Sequence, residues 1–572
     1  MHADGEYAII QLIVGEVTGL HIVSMEIENY RTFRHVRMVF DSTQNYLVGS
    51  HNIGKTNFLK ILETLHEKTG FDADDFRDKD KPIRVFIALQ MEHRRQLVIN
   101  GKPLDDADGL LRLEVSQEPG AETFTMRNLE HHEVLPEDWK QSVRYLTHLP
   151  TGMQRNELSD AARADLRDIL GQFIAEEGER LRSILHDMAK HSGADVAAVD
   201  RLSDSLDTWV DYLTESDGSE RDADDTFRML MLTGFQMLRE LMMLNDDPRE
   251  PFRDYLIVDE KGRKYLPLII GIDEPEIHQH PYRQRTLIEF YRGILANESP
   301  LMCELFQRFL GIDGLEGQLF IVTNSTDCLI DDYRYILRLY RDETGEVNAA
   351  NGAEFSFEPG VEKHLIMHFP EVKEALFARS VLIVEGETEY GAFAGFAKTL
   401  GYHFDFLGVC LVNARGESSI VKIAQLFERF HLGTVSLYDR DVRMKTPRGE
   451  NIFFTDEICL ELDIVEHISR KNKWEVLYQV VHELAEGDDF VYKDMVKRAV
   501  SKWKPDPKRM FQSRKLKSIG GRDEEGRRFY YFAWFYSNKG VLVGRLLAQY
   551  LDEDLIPPAF RYPIERAAEL AK

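Results

Sequence analysis

Three sets of residues in this chain have the types and spacing needed to handle phosphate. The first is Val48-Gly-Ser-His-Asn-Ile-Gly-Lys-Thr-Asn57, which holds the pattern G-x-x-x-x-G-K-[ST] as Gly49, Gly54, Lys55 and Thr56. The two glycines let the loop take backbone angles closed to other residues, so successive N–H groups turn onto phosphate oxygens. Lys55 suits the β- and γ-phosphates, and the Thr56 hydroxyl suits Mg²⁺. Asn52 and Asn57 lie in the same stretch and complete the candidate ATP-binding set.

The second set follows two apolar runs. Residues 266–272 end in Asp273-Glu274, in the order Ile-Asp-Glu-Pro-Glu-Ile-His-Gln-His-Pro. Asp273 can hold Mg²⁺ through water, and Glu274 can polarise an attacking water. His278 and His280 read as the loop to the next helix, not as metal ligands. Residues 318–322 end in Thr323-Asn324-Ser325. Asn324 can hydrogen-bond a phosphate but carries neither charge nor a transferable proton.

The third set is acidic. An apolar run at 380–384 ends in Glu385-Gly-Glu-Thr-Glu389, and another at 433–438 ends in Asp439-Arg-Asp441. Carboxylates at the carboxyl ends of strands in an α/β sheet suit hard divalent cations. Such cations activate a nucleophile and stabilise a leaving oxygen in phosphodiester cleavage. Glu461 and Asp463 are further candidate ligands, with a solvated helix face as the plain alternative. Lys539 stands before an apolar helix at 541–550, where an ammonium can stabilise a pentavalent phosphate.

These sets need strands to hold them. Residues 45–48 read as a strand and 56–65 as a helix facing the anion with its N-terminus. Residues 23–27 alternate as a strand, with a hairpin partner at 35–40; 82–91 and 110–115 read as further strands. Gln90 ends one of these, as a γ-phosphate sensor or a solvated side chain. Leu166, Ile169, Leu170, Phe173, Ile174, Leu181, Ile184, Leu185 and Met188 recur at helical spacing. That segment reads as a long helical insertion, either packed on its own domain or forming a dimerisation arm. Leu232-Thr-Gly-Phe-Gln236 reads as a loop opening a helix at 237–244, which would make Gly234 an anion site for the ATP of a second, facing ATPase unit. Residues 406–412 read as a strand, and 390–400 as a helix.

A length of 572 residues exceeds one core, so several domains are expected. The boundaries read as 1–148, 149–220 (the helical insertion), 221–370 and 371–572; residues 1–20 carry no assignable role. Four scattered cysteines without a C-x-x-C pair argue for a reducing compartment and against a zinc site. No apolar run reaches membrane-spanning length, and the start lacks a signal-peptide pattern, so a cytoplasmic protein with no membrane partner is expected. The net charge of −27 excludes a passive nucleic-acid coat. The balance reverses between Lys497 and Arg528, where Trp503 and Phe511 are interleaved, so nucleic-acid contact is expected there.

The order of these motifs resembles the OLD (overcoming lysogenization defect) nuclease family over about residues 21–145 and 220–572. The resemblance rests on G-S-H-N-I-G-K-T, L-T-G-F-Q and I-D-E-P-E-I-H-Q-H-P, followed by V-E-G-E-T-E and D-R-D. It implies an α/β chain in which an ABC-type (RecF/SMC-like) ATPase domain with a helical insertion precedes a Toprim-fold nuclease domain. It implies ATP, and Mg²⁺ or Mn²⁺ held by Glu385, Glu389, Asp439 and Asp441, with Glu461 or Asp463 for a second ion. It also implies Lys539 as a late catalytic lysine. DNA would be cut or nicked under ATP regulation, and anti-phage members form dimers or tetramers with a helicase-like partner. ABC-type enzymes carry His where Asn324 stands, which puts hydrolysis in doubt more than binding. Two other readings remain: an RNA (tRNA) nuclease triggered by a phage protein, and a RecF-like repair ATPase whose Toprim acids are structural. A topoisomerase would need a nucleophilic Tyr in a separate gate domain, for which the chain has no room.

Overall fold

The computed structural model describes residues 21–90, 98–99, 102–103, 110–128, 134, 139–140, 143–147, 160–200, 206–214, 222–245, 247–277, 279–446, 448–485, 488–503, 512–519 and 524–572. The expectations for residues 1–20, for His278, for Phe511 and for the start of the helical insertion lie outside these. The chain forms two compact units, Met1–Phe355 and Ser356–Lys572.

The first unit contains two sheets. β1 (His21–Tyr30), β2 (Phe33–Val39), β4 (Ile83–Gln90), β5 (Leu110–Gln117) and β6 (Thr125–Asn128) form an antiparallel sheet in the order β2-β1-β4-β5-β6. Their alternation fits this, since Met25 and Ile27 are buried while Glu26 and Glu28 are not. The second sheet is mostly parallel. It includes β3 (Gln44–Gly49), β7 (Arg144–Leu146), β8 (Ile257–Val258), β9 (Lys264–Asp273), β10 (Gly314–Val322), β11 (Ile336–Arg341) and β12 (Val347–Asn351). Its order is β8-β9-β10-β3-β11-β12, with β7 also paired to β9. Leu268, Ile269 and Ile270 are all buried, as expected of a strand covered on both faces.

Parallel register decides what meets at one edge. Asp273 pairs with Val322, and Val322 with Leu47. The phosphate loop, the Asp273 strand end and the Asn324 strand end therefore leave the sheet side by side. Helix α1 (Lys55–Glu67) follows the loop and buries Phe58, Leu59, Ile61, Leu62 and Leu65. Phe58 and Phe320 pack with ring centroids 4.9 Å apart, which ties the helix to β10.

Helices α2 (Asp160–Ser192), α3 (Leu206–Thr214) and α4 (Asp222–Met243) lie between β7 and β8 in the chain. Here one expectation is corrected. Leu232–Gln236 is not a loop before a helix but the middle of α4, so Gly234 stands at no helix N-terminus. A Cβ at Gly234 would press on Met302 Sδ and Phe290, so the glycine serves close packing inside the helix. Thr233 donates its hydroxyl hydrogen bond back to Met229 O, 2.8 Å away.

Helix α5 (Pro281–Leu295) lies between β9 and β10 in the chain of the first unit. The second unit starts with α6 (Pro359–Val372), which packs on α8 (Glu417–Arg429). Its sheet is parallel: β13 (Ser380–Val384), β14 (Val409–Asn413), β15 (Gly433–Tyr438) and β16 (Ile452–Phe454) in the order β14-β13-β15-β16. The expected strand at 406–412 is shorter, because Phe404–Leu407 forms a helical turn closed by Gly408 at φ 77°. Around the sheet lie α7 (Glu387–Thr399), α9 (Leu460–Lys471), α10 (Trp474–Leu484), α11 (Lys493–Lys502), α12 (Glu524–Ser537), α13 (Val541–Tyr550) and α14 (Pro558–Leu570).

Candidate functional site

The phosphate loop sits between β3 and α1. Gly49 and Gly54 adopt φ of 144° and 111°. A Cβ would overlap Leu339 O at the first and Thr32 Oγ1 at the second, so both positions require glycine. Asn52 also lies in the left-handed region, at φ 57°. Lys55 is buried, and its Nζ donates to Gly49 O at 3.0 Å and Ser50 O at 3.1 Å. Burial lowers its pKa, against the opposing pull of Glu274, Glu276 and Asp273. Asn57 donates to Thr32 Oγ1 at 2.9 Å, bracing the loop.

Thr56 Oγ1 donates to Asp273 Oδ1 at 3.3 Å, which brings the two candidate Mg²⁺ groups together. Burial raises the pKa of Asp273. Glu274 takes φ 49° and its N–H donates to Val322 O at 2.8 Å. Asn324 Nδ2 donates to Glu274 Oε1 at 2.7 Å, so the amide holds the candidate water-polarising carboxylate. Glu276 was not singled out by the sequence, yet it fastens this edge. It accepts from Asn324 N–H at 2.6 Å and from the Thr323 hydroxyl at 2.8 Å. Its only sequence signal is its place as the third acid of Asp-Glu-Pro-Glu.

In the second unit the acids gather at the carboxyl ends of β13 and β15. Ile383 pairs with Ser436, so Glu385 and Asp439 leave adjacent strands together. The Asp439 N–H donates to Glu385 Oε2 at 3.3 Å. Glu389, in the first turn of α7, is buried, as are Asp439 and Glu461. Lys539 Nζ lies 3.0 Å from Glu461 Oε2. Burial, then the charge of Glu461, raises the Glu389 pKa to about 7. Burial, then Glu389 and Glu385, raises that of Asp439 to about 9. Glu385 is also raised, chiefly by burial. Burial works against the Lys539 charge, but Glu461, Cys459 and Glu389 outweigh it and raise its pKa.

Asp441 stands at the rim, where Lys502 of α11 pairs with it. Asp463 is not part of the group. Its two oxygens accept the N–H groups of Asp456 and Glu457 at 2.8 and 2.7 Å, which fixes the turn before α9. Of the two acids offered by the sequence, it is Glu461 that faces Glu389 and Lys539.

The sequence singles out Lys539 but not the long-range packing that delivers it to the acids. Gly391 and Gly395 of α7 face Val541, Gly544 and Ala548 of α13: a Cβ at Gly391 would overlap Val541 O, and one at Gly544 would overlap Thr388 O. The signal was present as small residues four apart, Gly391 with Gly395 and Gly544 with Ala548. Thr388 Oγ1 then accepts the Gly540 N–H at 3.1 Å, anchoring the Lys539 turn to the acid-bearing helix.

Three buried carboxyl groups against one ammonium make a donor set suited to a hard cation. Glu461 Oε1 is buried without a hydrogen-bond partner, an acceptor such an ion would satisfy. Among the described residues only Glu26, Glu28 and His35 bring three ligand atoms within 4.8 Å of one another, and they lie on β1 and β2, with His35 Nε2 2.5 Å from Glu26 Oε1.

The basic stretch is partly used internally. Arg528 pairs with Glu466 at 2.9 Å, Arg527 stacks over Trp474 and Lys517 over Tyr478. Trp503 is half-buried, its ring packed against Phe529 and Phe532. Lys497, Arg498, Arg514 and Lys515 are exposed, while residues 504–511 and 520–523 lie outside the described residues. No described helix is long and apolar enough to cross a membrane.

Residues 21–177 match the family described as AAA ATPase domain, and residues 376–441 match the overcoming lysogenization defect protein-like TOPRIM domain. No curated protein matches the chain. Similar solved structures include the SMC head domain from Thermotoga maritima, at 9% identity over 58% of this chain and 98% of that one, with TM-score 0.29. The C-terminal region of the Xanthomonas campestris pv. campestris OLD protein matches at 18% identity over 34% and 97%, with TM-score 0.23. That of the Burkholderia pseudomallei OLD protein matches at 17% over 34% and 100%, with TM-score 0.23. The chain thus joins an AAA-type ATPase domain to an OLD-like Toprim domain.

Proposed function

We propose that this chain is a metal-dependent DNA endonuclease whose cutting is regulated by ATP, acting in bacterial anti-phage defence. The observation that carries the reading is the buried group Glu389, Asp439 and Glu461 around Lys539, at the carboxyl ends of a parallel sheet. Glu385, Glu389, Asp439, Asp441 and Glu461 would hold Mg²⁺ or Mn²⁺. When bound, the ions supply the positive charge that activates a water and stabilises the leaving oxygen.

The chain's own residues do the rest. Glu461 orients the Lys539 ammonium, which binds a non-bridging oxygen of the scissile phosphate and stabilises charge developing there. Lys502, at the rim with Asp441, steers the DNA backbone towards the acids. In the ATPase domain, Lys55 and the loop N–H groups would bind the β- and γ-phosphates, and Thr56 with Asp273 would hold Mg²⁺. Glu274 orients the attacking water and Asn324 binds the γ-phosphate. The replacement of a proton-carrying His by Asn favours ATP as a bound regulator over a rapidly consumed fuel.

The motif order is similar to that of GajA nucleases of the Gabija anti-phage system. By that likeness the chain forms homo-oligomers, with the helices of 149–220 as the dimerisation segment, and works with a helicase-like partner. The test is incubation of supercoiled plasmid and labelled tRNA with Mg²⁺, Mn²⁺ or chelator, with and without ATP. Metal-dependent nicking of plasmid alone is the expected outcome. Cutting of tRNA alone would replace DNA with RNA as substrate, and no cutting in infected-cell lysate would remove the nuclease reading.

A further inference from the structure

A second cavity shares Lys539 with the acid group. It has a volume of about 440 Å³ and is lined on its other sides by Phe490, Tyr492, Trp534, Asn538 and Leu542. The ring centroids of Phe490 and Tyr492 lie 5.0 Å apart. Tyr492 is 50% exposed and Leu542 59% exposed, unusual for large apolar groups flanking a polar site. Tyr492 is held by its hydroxyl, which donates to Asp488 Oδ2 at 2.6 Å. Asn538 spends Nδ2 on Trp534 O at 2.7 Å, which leaves its amide oxygen as an acceptor.

From this geometry we infer that the cavity is a subsite for one unpaired nucleobase, next to the phosphate bound at Lys539. The inference rests on the nuclease reading and narrows its substrate to DNA carrying an unpaired nucleotide. Three physical points favour this occupant. The cavity begins at Lys539, the cation assigned here to the scissile phosphate, so the attached nucleoside is the group brought to it. The exposed Tyr492 ring, backed by the half-buried Phe490, lines the same cavity as Lys539 and can serve as a stacking platform, since every base has a π-face. A space of this size admits one nucleoside, and a base that enters it is already single-stranded or flipped out of the stack. The Asn538 oxygen adds an acceptor for a base N–H.

The test uses the full-length protein and a single-stranded oligodeoxynucleotide carrying 2-aminopurine, read by fluorescence quenching in chelator and in Ca²⁺. Cleavage in Mn²⁺ is compared for a fully paired duplex and the same duplex with a one-nucleotide bulge. The variants are Tyr492→Ala, Leu542→Glu and the ring-conserving Tyr492→Trp, all at exposed positions, with melting temperatures recorded to show that each folds. The expected result is quenching by the wild type, weakened about tenfold in Tyr492→Ala and Leu542→Glu and retained in Tyr492→Trp. The bulged duplex is then cut faster, and that preference falls in the same two variants. Equal quenching in the wild type and both disruptive variants would overturn the subsite. Ring-dependent quenching without cleavage of any substrate would leave the subsite standing and remove the nuclease reading. Equal cutting of paired and bulged duplexes, with no ring dependence, would remove the subsite alone.

Discussion

Asp439→Asn separates what the acid group does for stability from what it does for metal. Asp439 is buried and its pKa is raised from an ordinary 3.8 to about 9, first by burial and then by Glu389 and Glu385. The folded unit therefore binds a proton that the unfolded chain has released, between pH ~4 and ~9. Stability is lost as pH rises through that window, at up to about 1.4 kcal/mol per unit for one proton. From pH 5.5 to 8 this amounts to about 3 kcal/mol, or roughly 6–12 °C in melting temperature for a domain of this size. The asparagine amide resembles the protonated carboxyl in shape and charge and has no such proton to lose. The assay is calorimetric melting of wild type and variant at both pH values, without divalent ions and again with Mn²⁺. We expect the wild type to lose more melting temperature than the variant on going to pH 8. Mn²⁺ should restore the wild type most at pH 8, where ligation no longer competes with protons, and should leave the variant unmoved. Equal pH dependence in both proteins would refute the reasoning, because Asp439 would then be ionised in the metal-free fold.

Other expectations follow from the same contacts. Lys55→Met should weaken binding of a fluorescent ATP analogue about tenfold to a hundredfold, since it removes a charge-assisted contact from the phosphate loop. Asn324→His restores a group able to carry a proton beside Glu274, and steady-state phosphate release should rise, by up to about a hundredfold. Gly544→Val places side-chain atoms against Thr388 O, so a loss of about 1–3 kcal/mol in stability is expected, together with loss of cleavage as Lys539 shifts from Glu461.

The local parts of this architecture were legible because local physics writes them. The G-x-x-x-x-G-K-[ST] loop, its strand and its helix are set by glycine freedom and apolar spacing within about twenty residues. The strand ends at Asp273, Glu385 and Asp439 follow from apolar runs that stop at acids. Gly234 was misread because glycine ordinarily interrupts a helix; here Met302 and Phe290 pack on the bare Cα, and tertiary contact overrides propensity. Glu461 and Asp463 share the first turn of one helix, so spacing could not say which points at Glu389 and which closes the turn at Asp456 and Glu457. Lys539 reaches the acids through the contacts of α7 with α13 and of α9 with α12, the first across some 150 residues of chain, and periodicity holds no record of those pairings.

The central claim is that the acids around Lys539 cut DNA. It is tested most directly by linearisation and nicking of supercoiled plasmid in Mn²⁺, wild type against Asp439→Asn, with ATP binding measured on both. The account predicts cleavage by the wild type, none by the variant, and equal ATP affinity. Undiminished cleavage by the variant would contradict it, since the acid group would then not be where the chemistry occurs.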